Sequence, residues 1–148
     1  MLYQTKNRNK QSGFTLIEIM VVVVIIGILA SVVVPRIMDN PDKARTAKAK
    51  NDIRALESAL DIYRLDNFVY PTTDQGLDSL VNQPTSSPEP PNWKQGGYIK
   101  KLNKDPWGYE YLYLNPGEHA EIDLYSLGAD GAPGGEGPNT DIGSWDRD

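Results

Sequence analysis

Residues 14–34 read FTLIEIMVVVVIIGILASVVV, and the rest of the chain is best understood from this apolar run. It contains 21 residues and neither Lys nor Arg. As a helix it would span about 30 Å, which is the thickness of a bilayer hydrocarbon core. Pro35 is expected to end it. We therefore predict a transmembrane or filament-core helix over 14–34, with a simple signal anchor as the alternative.

Glu18 places a carboxylate one turn inside this run. An ionised carboxylate in hydrocarbon is costly unless it is paired or protonated. Two interpretations remain open at this point. Either Glu18 has a dedicated partner, or it lies near the membrane interface, where it is hydrated or neutral.

The residues before the run are basic, with Lys6, Arg8 and Lys10 and no acid. Basic residues beside an apolar helix indicate the cytoplasmic side of a membrane. An ordinary secretory signal peptide fits poorly, because the run is longer than its usual apolar region and no A-x-A-like site follows. Small polar residues, Gln11-Ser12-Gly13, stand in front of the run instead.

Lys10-Gln11-Ser12-Gly13 followed by Phe14-Thr15-Leu16-Ile17-Glu18 resembles the class III signal of type IV pilins and pseudopilins. The resemblance implies that a prepilin peptidase removes a leader, residues 1–13, by cutting between Gly13 and Phe14. It also implies N-methylation of Phe14. The Glu18 carboxylate of one subunit would then pair with the Phe14 amine of a neighbour, so that two costly charges neutralise each other. Glu18 and Phe14 are thus the predicted assembly residues.

Composition narrows the function classes. The 148-residue chain contains no cysteine, so disulfides and Cys-based metal or redox sites are excluded. Its net charge is −5 despite the basic leader, which argues against nucleic-acid binding. A small exported domain without disulfides is expected to gain stability from a bound metal or from oligomerisation.

The next segment predicts a globular domain over 35–148 that begins with an amphipathic helix over 40–66. Asp39-Asn40-Pro41-Asp42 is typical of a helix start. An apolar face then recurs at helical spacing. It consists of Ile53, Leu56, Leu60 and Tyr63.

Residues after the helix predict a small antiparallel sheet. The strands are expected over 109–114 and 121–127, joined by a turn at Asn115–Glu118. Asp105-Pro106-Trp107-Gly108 predicts a tight turn before the first strand. A short helix over 74–83, capped by Thr73 or Asp74, and a proline-rich surface loop over 84–97 precede them. The fold class is therefore α+β, with a long N-terminal helix packed on a small antiparallel sheet. The first half of that helix is apolar and its second half is amphipathic.

The last segment, 127–148, is rich in glycine and short acidic side chains. Calcium prefers six to eight oxygen ligands on a flexible backbone, which this composition supplies. The EF-hand pattern matches poorly, because its acid spacing and terminal Glu are missing. Composition alone favours a disordered acidic tail.

A wider resemblance changes that balance. Motifs distributed over nearly the whole chain resemble those of the major pseudopilins of type II secretion: Tyr70-Pro71-Thr72-Thr73, Gln75-Gly76-Leu77, Tyr98-Ile99-Lys100, Asp105-Pro106-Trp107-Gly108, Asn115-Pro116-Gly117 and Leu127-Gly128-Ala129-Asp130-Gly131. The resemblance implies a type IV pilin-like fold and a C-terminal loop that binds one calcium ion. The implied ligands are the Leu127 carbonyl, Asp130 and Asp141, with Asn139, Thr140 or a nearby carbonyl.

The implied function is that of the major subunit of a periplasmic filament, the pseudopilus, which drives export of folded proteins across the outer membrane. Its partners would be further copies of the chain, minor pseudopilins, the prepilin peptidase and the inner-membrane assembly platform, and indirectly the outer-membrane secretin and the exoproteins. Before assembly, a single inner-membrane span would hold the domain in the periplasm. The alternative is a type IV pilin of a surface fibre for adhesion, motility or DNA uptake.

An enzyme is not expected. His119 is the only histidine, it follows a turn, and no phosphate-binding loop or G-x-S-x-G motif is present. We interpret it as an exposed turn residue and the Tyr and Trp side chains as packing residues.

Overall fold

The computed structural model describes the backbone of residues 13–146 and the side chains of 13–31 and 41–146. The predicted leader lies outside the described residues, apart from Gly13. Contacts between Cα atoms divide the chain into two units, Met1–Asp39 and Asn40–Asp148, which we describe separately.

One long helix, α1, runs over Leu16–Asn67. Its backbone remains helical at Pro35 and Pro41. This single long helix confirms the predicted N-terminal helix, whereas the predictions that Pro35 ends the apolar run and that Asp39–Asp42 starts a helix are wrong. Proline removes one backbone donor, but its φ near −65° is itself helical, so a long helix continues through it at the cost of a hydrogen bond.

In the second unit, α1 is amphipathic as predicted. Ile53, Leu56, Leu60 and Tyr63 are all less than one-tenth exposed. Two alanines, Ala49 and Ala59, join the same buried face. Because these small and large side chains share one stripe, the helix can lie close against the elements that follow it.

A three-stranded sheet follows, with strand order β1-β2-β3 and both pairings antiparallel. The strands are β1 Leu112–Leu114, β2 Asp123–Ser126 and β3 Ile142–Gly143. The first two confirm the predicted strand pair, although each is shorter than predicted. The third was not predicted, because two residues are too few to show an alternating pattern. This confirms an α+β fold.

The connection between α1 and the sheet is short and irregular. A 3-10 helix over Leu77–Leu80 replaces the predicted helix over 74–83, and it starts after Gly76 without a side-chain cap. Leu77 and Leu80 are buried, as predicted. The 84–97 loop contains no helix or strand and is anchored where Trp93 Nε1 donates to the Ser79 carbonyl at 2.8 Å.

Candidate functional site

The predicted cleavage site precedes α1. Gly13 and Phe14 are not helical, and the Phe14 side chain is 81% exposed. No described atom lies within 4 Å of where a side chain on Gly13 would start. In this structure the Gly13–Phe14 peptide bond is open to another molecule.

Glu18 forms part of the helix start. The Thr15 N–H donates to Glu18 Oε2 at 3.4 Å, and the Glu18 N–H donates to Thr15 Oγ1 at 3.3 Å. This reciprocal pair is a capping box, and it satisfies two backbone donors that the first turn of a helix leaves open. The T-x-x-E spacing of Thr15 and Glu18 is the sequence signal for this cap, which is a further role for Glu18 besides the two interpretations given above.

The apolar side chains of the first unit are uncovered. Every large apolar side chain from Phe14 to Leu29 is at least 49% exposed. An exposed apolar surface of this extent is characteristic of residues that contact a membrane or another protein. Among the described residues, no helix is both long and apolar enough to cross a membrane.

The C-terminal loop is folded back on itself. The Gly134 N–H donates to Asp141 Oδ2 at 2.9 Å, and the Ala129 N–H donates to the Pro138 carbonyl at 2.9 Å. A Cβ on Gly128, whose φ is +72°, would lie 2.8 Å from the Thr140 carbonyl oxygen. The start and end of the loop therefore lie against each other, which places Leu127 near the 139–141 segment.

One carboxylate oxygen in this loop has no partner. Among the described residues, Asp141 Oδ1 is buried without a hydrogen bond, whereas Asp130 is exposed and accepts the Ala132 N–H at 3.1 Å. A buried acceptor without a donor is unfavourable unless a water or an ion reaches it. Within the described residues, no group of three or more Asp, Glu or His side chains is arranged to hold a metal. A cation here would need carbonyl and amide oxygens besides the two carboxylates, and calcium accepts such ligands.

Asp123 organises the turn between β1 and β2. It is 1% exposed and accepts the N–H groups of residues 118, 119 and 120. His119 Nδ1 lies 2.9 Å from Asp123 Oδ2, and the His119 ring stacks on Trp145 at 3.9 Å between centroids. Burial alone would raise the pKa of Asp123, but these hydrogen bonds outweigh it and hold the pKa below its usual value. His119 is thus a turn residue, as predicted, with a structural partner.

Two further polar contacts connect the elements of the second unit. Ser126 Oγ donates to Asp105 Oδ2 at 2.6 Å, while the Trp107 and Tyr109 N–H groups donate to Asp105 Oδ1. The predicted turn at Asp105–Gly108 is confirmed by the Gly108 N–H, which donates to the Asp105 carbonyl at 3.1 Å. The Tyr111 hydroxyl donates a hydrogen bond to Asp52 of α1 at 2.9 Å. Burial is the largest cause that raises the Tyr111 pKa, and the hydrogen bond to Asp52 raises it further.

The family models match both parts of the chain. The family described as Type II secretion system (T2SS), protein G, matches residues 36–145. The family described as Prokaryotic N-terminal methylation motif matches residues 8–34.

Individual relatives agree with these families. The type II secretion system core protein G of Pseudomonas aeruginosa is 60% identical over 140 residues, which is 95% of this chain and 99% of that protein. Its counterpart in Vibrio cholerae is 62% identical over 140 residues and 95% of each chain. A crystal structure of the major pseudopilin from the type 2 secretion system of enterohaemorrhagic Escherichia coli has a TM-score of 0.67 and 55% identity. It covers 76% of this chain and 96% of that one.

Proposed function

The chain belongs to the type II secretion system protein G family, the major pseudopilins, and we propose that its copies polymerise through the 14–34 segment into a periplasmic filament. The observation that carries this proposal is the uncovered apolar surface from Phe14 to Leu29. Burying apolar surface yields about 25 cal/mol per Å², so packing many such helices side by side is strongly favourable. The proposed role is structural and not catalytic.

The proposed interface uses the same surface on every copy but pairs different parts of it. A contact of this heterologous kind repeats without closing and so extends as a fibre. The family and the relatives reported above are named for type II secretion. This favours the pseudopilus over the alternative, a surface pilus for adhesion, motility or DNA uptake.

Processing would prepare the subunit for assembly. We propose that a prepilin peptidase cuts the exposed Gly13–Phe14 bond and methylates Phe14, which supplies a cationic amine four residues before Glu18. The match to the methylation motif and the non-helical backbone at 13–14 both support this step. A peptidase needs an accessible bond in an unfolded or extended segment, and the structure offers one.

Glu18 would exchange one set of contacts for another during assembly. In the single chain it accepts only the long 3.4 Å bond from the Thr15 N–H among the bonds that the structure describes. Between helices in a filament, its charge would require a cation. The Phe14 amine of a neighbouring copy is the candidate, because each subunit brings one amine and one carboxylate to the same end of its helix.

Before assembly the chain is proposed to be held in the inner membrane by a single span over 14–34, with its C-terminal domain in the periplasm. The basic residues ahead of the run support this orientation. The proposed partners are minor pseudopilins, the assembly platform of the inner membrane and, indirectly, the secretin and the exported proteins.

The C-terminal loop is proposed to bind calcium. The Leu127 carbonyl, Asp130 and Asp141 would hold the ion, together with oxygens from Asn139 or Thr140. The unpartnered Asp141 Oδ1 and the closeness of Gly128 to residues 139–140 support the proposal. A bound cation would neutralise the acids and fix the loop against the sheet.

Deletion of the gene in its own host tests the function directly. We expect exported proteins to accumulate in the periplasm and to return to the medium when the full chain is supplied again. Normal export combined with the loss of a surface fibre would instead support the pilus alternative. A Gly13→Ala variant, which should block removal of the leader, serves as a matched control that is expressed but not assembled.

A further inference from the structure

Asp105 is a buried carboxylate that contacts two separate segments of the second unit. It is 5% exposed, and its Oδ1 atom accepts the N–H groups of Trp107 and Tyr109 at 3.0 and 2.8 Å. Its Oδ2 atom accepts the hydroxyl of Ser126 at 2.6 Å. A buried carboxylate is costly unless hydrogen bonds satisfy it, so these donors keep its position well defined. Asp105 thus holds the 105–109 turn and the end of β2 in one arrangement.

Ser126 extends this constraint to the peptide group that follows it. Ser126 is fully buried, and because its O–H donates to Asp105, its oxygen is free to accept the Gly128 N–H at 3.2 Å. That N–H belongs to the same planar peptide unit as the Leu127 carbonyl. The Leu127–Gly128 bond is trans, so the N–H and the C=O point in opposite directions. The bond to Ser126 therefore fixes the direction of the Leu127 carbonyl.

The peptide unit held in this way packs on the far end of the C-terminal loop. A Cβ on Gly128 would lie 2.8 Å from the Thr140 carbonyl oxygen and 2.9 Å from the Asn139 carbonyl carbon. The next residue along is Asp141, whose Oδ1 is buried without a partner among the described residues. The direction of the Leu127 carbonyl is thus fixed beside the segment that carries the other implied ligands.

Tyr109 connects the same turn to a second implied ligand. Its N–H is held by Asp105, and its ring lies against Gly131, where a Cβ would be 2.7 Å from Tyr109 Cζ. Gly131 directly follows Asp130 and has a φ of +64°, so a residue without a side chain suits both its conformation and this close contact. The Tyr109 ring therefore supports the backbone next to Asp130.

We propose that Asp105 positions two of the implied calcium ligands in the C-terminal loop. It acts on the Leu127 carbonyl through Ser126. It acts on Asp130 through the Tyr109 ring. This inference rests on the proposed function, because it takes the C-terminal loop to bind calcium. Neither Asp105 nor Ser126 is itself a ligand in this proposal, and residues that orient metal ligands from outside typically contribute about 10- to 100-fold to metal affinity.

Calcium titration of the full chain, purified in detergent and followed by calorimetry, tests the proposal. Ser126→Ala removes the acceptor of the Gly128 N–H, so we expect the Kd for calcium to rise about tenfold or more. Ser79→Ala is the matched control, because Ser79 is 2% exposed and its hydroxyl donates to the Gln75 carbonyl at 3.0 Å, in a different segment. It should lower the unfolding temperature in EGTA and leave the Kd unchanged.

The wild-type chain separates the two ways in which this experiment can fail. No calcium binding by the wild type would overturn the proposed calcium site itself. Equal calcium binding by the wild type and by Ser126→Ala would overturn this inference and leave the site intact.

Asp105→Asn tests whether Asp105 acts through Ser126. Asparagine offers one acceptor oxygen where aspartate offers two, so it cannot serve the backbone N–H groups of the turn and the Ser126 hydroxyl together. We expect a raised Kd, and a double variant with Ser126→Ala that binds no more weakly than the weaker single variant, because both changes break the same connection. Losses that multiply in the double variant would overturn the proposed route through Ser126.

Tyr109 provides a second test that does not depend on the buried pair. Its side chain is 44% exposed, so shortening it leaves the core intact even where Ser126→Ala does not fold. Tyr109→Ala should raise the Kd for calcium, whereas Tyr109→Phe keeps the ring against Gly131 and should bind like the wild type. A wild-type Kd in Tyr109→Ala would contradict the connection to Asp130.

Discussion

Residues 16–31 and residues 49–63 belong to the same helix, but the apolar side chains of the first stretch are exposed and those of the second are buried. In the first stretch Ile17 is 70% exposed, and in the second Leu60 is fully buried. The second stretch is amphipathic and finds its partner within the chain. The first is apolar on nearly all sides, and its large apolar side chains are exposed in the single chain. The helix thus combines a folding element with an assembly element, and each should respond to its own set of mutations.

The largest effect is expected at Glu18, in the assembly stretch. Glu18→Ala should leave leader removal intact and lower filament yield about 100-fold, because removing one partner of a buried ion pair costs about 3 kcal/mol or more. Sheared and pelleted filaments, quantified against total subunit, measure this yield.

Glu18→Gln is the matched control for that experiment. Glutamine preserves the capping box with Thr15 but carries no charge. If Glu18→Gln assembles normally while Glu18→Ala does not, the helix cap and not the ion pair controls assembly.

Within the second unit, which contains residues 49–63, a substitution at Asp123 should lower the free energy of unfolding most. Asp123→Ala leaves three backbone N–H groups and the His119 ring without their acceptor, so we expect a loss of about 3 kcal/mol in the free energy of unfolding. Urea titration of a fragment spanning 40–148 provides the measurement. Glu110→Ala, at an exposed acid, should change stability by less than about 0.5 kcal/mol.

The same carboxylate predicts a pH dependence. Because the folded state lowers the Asp123 pKa, its stabilisation is fully present above the unfolded pKa of about 3.9 and is lost as the pH falls through the lower, folded value. Asp123→Asn should therefore flatten the acid limb of the stability curve. An equally steep acid limb in the variant would assign the effect to other groups.

Calcium should stabilise the 40–148 fragment, which does not contain the apolar residues 16–31. At 100 times the Kd, a ligand that binds only the folded state contributes about 2.7 kcal/mol, so EGTA should lower the melting temperature by about 10 °C. Asp130→Ala and Asp141→Asn should abolish that response. Glu136→Gln, at an exposed acid of the same loop, should retain it, and a melting curve that does not depend on calcium would discard the metal site.

The smallest effect is expected at the surface of α1. Arg64 and Glu121 form a 2.7 Å ion pair, but their side chains are 44% and 62% exposed. Exposed pairs of this kind contribute little to stability, and salt screens them. Glu121→Gln should thus lower the urea midpoint only slightly in low salt and by less still in 1 M NaCl. A larger, salt-insensitive loss would show that the pair is part of the core.

Sequence alone predicted the regions where periodicity is strong. The 3,4,3 spacing from Ile53 to Tyr63 identified the buried face of α1, and alternation identified β1 and β2. The proline rule gave wrong helix boundaries. Pro35 predicted a helix end and Pro41 a helix start, but the long helix α1 continues through both residues.

The candidate sites were only partly accessible to such reasoning. The cleavage at Gly13–Phe14 and the calcium ligands of the C-terminal loop stay predictions. The buried acceptor roles of Asp105 and Asp123 depend on contacts between distant segments, such as Ser126 with Asp105 at 2.6 Å. The left-handed conformation of Phe68 could not be predicted, because its residue type argues against it.

A cryo-electron microscopy map of the filament assembled from the full chain would test the central claim most directly. We expect the 14–31 segments to form the filament interior, with each Glu18 carboxylate in ion-pair contact with the Phe14 amine of a neighbouring subunit. Apolar segments on the outside of the filament, or Glu18 facing water with no amine beside it, would contradict it.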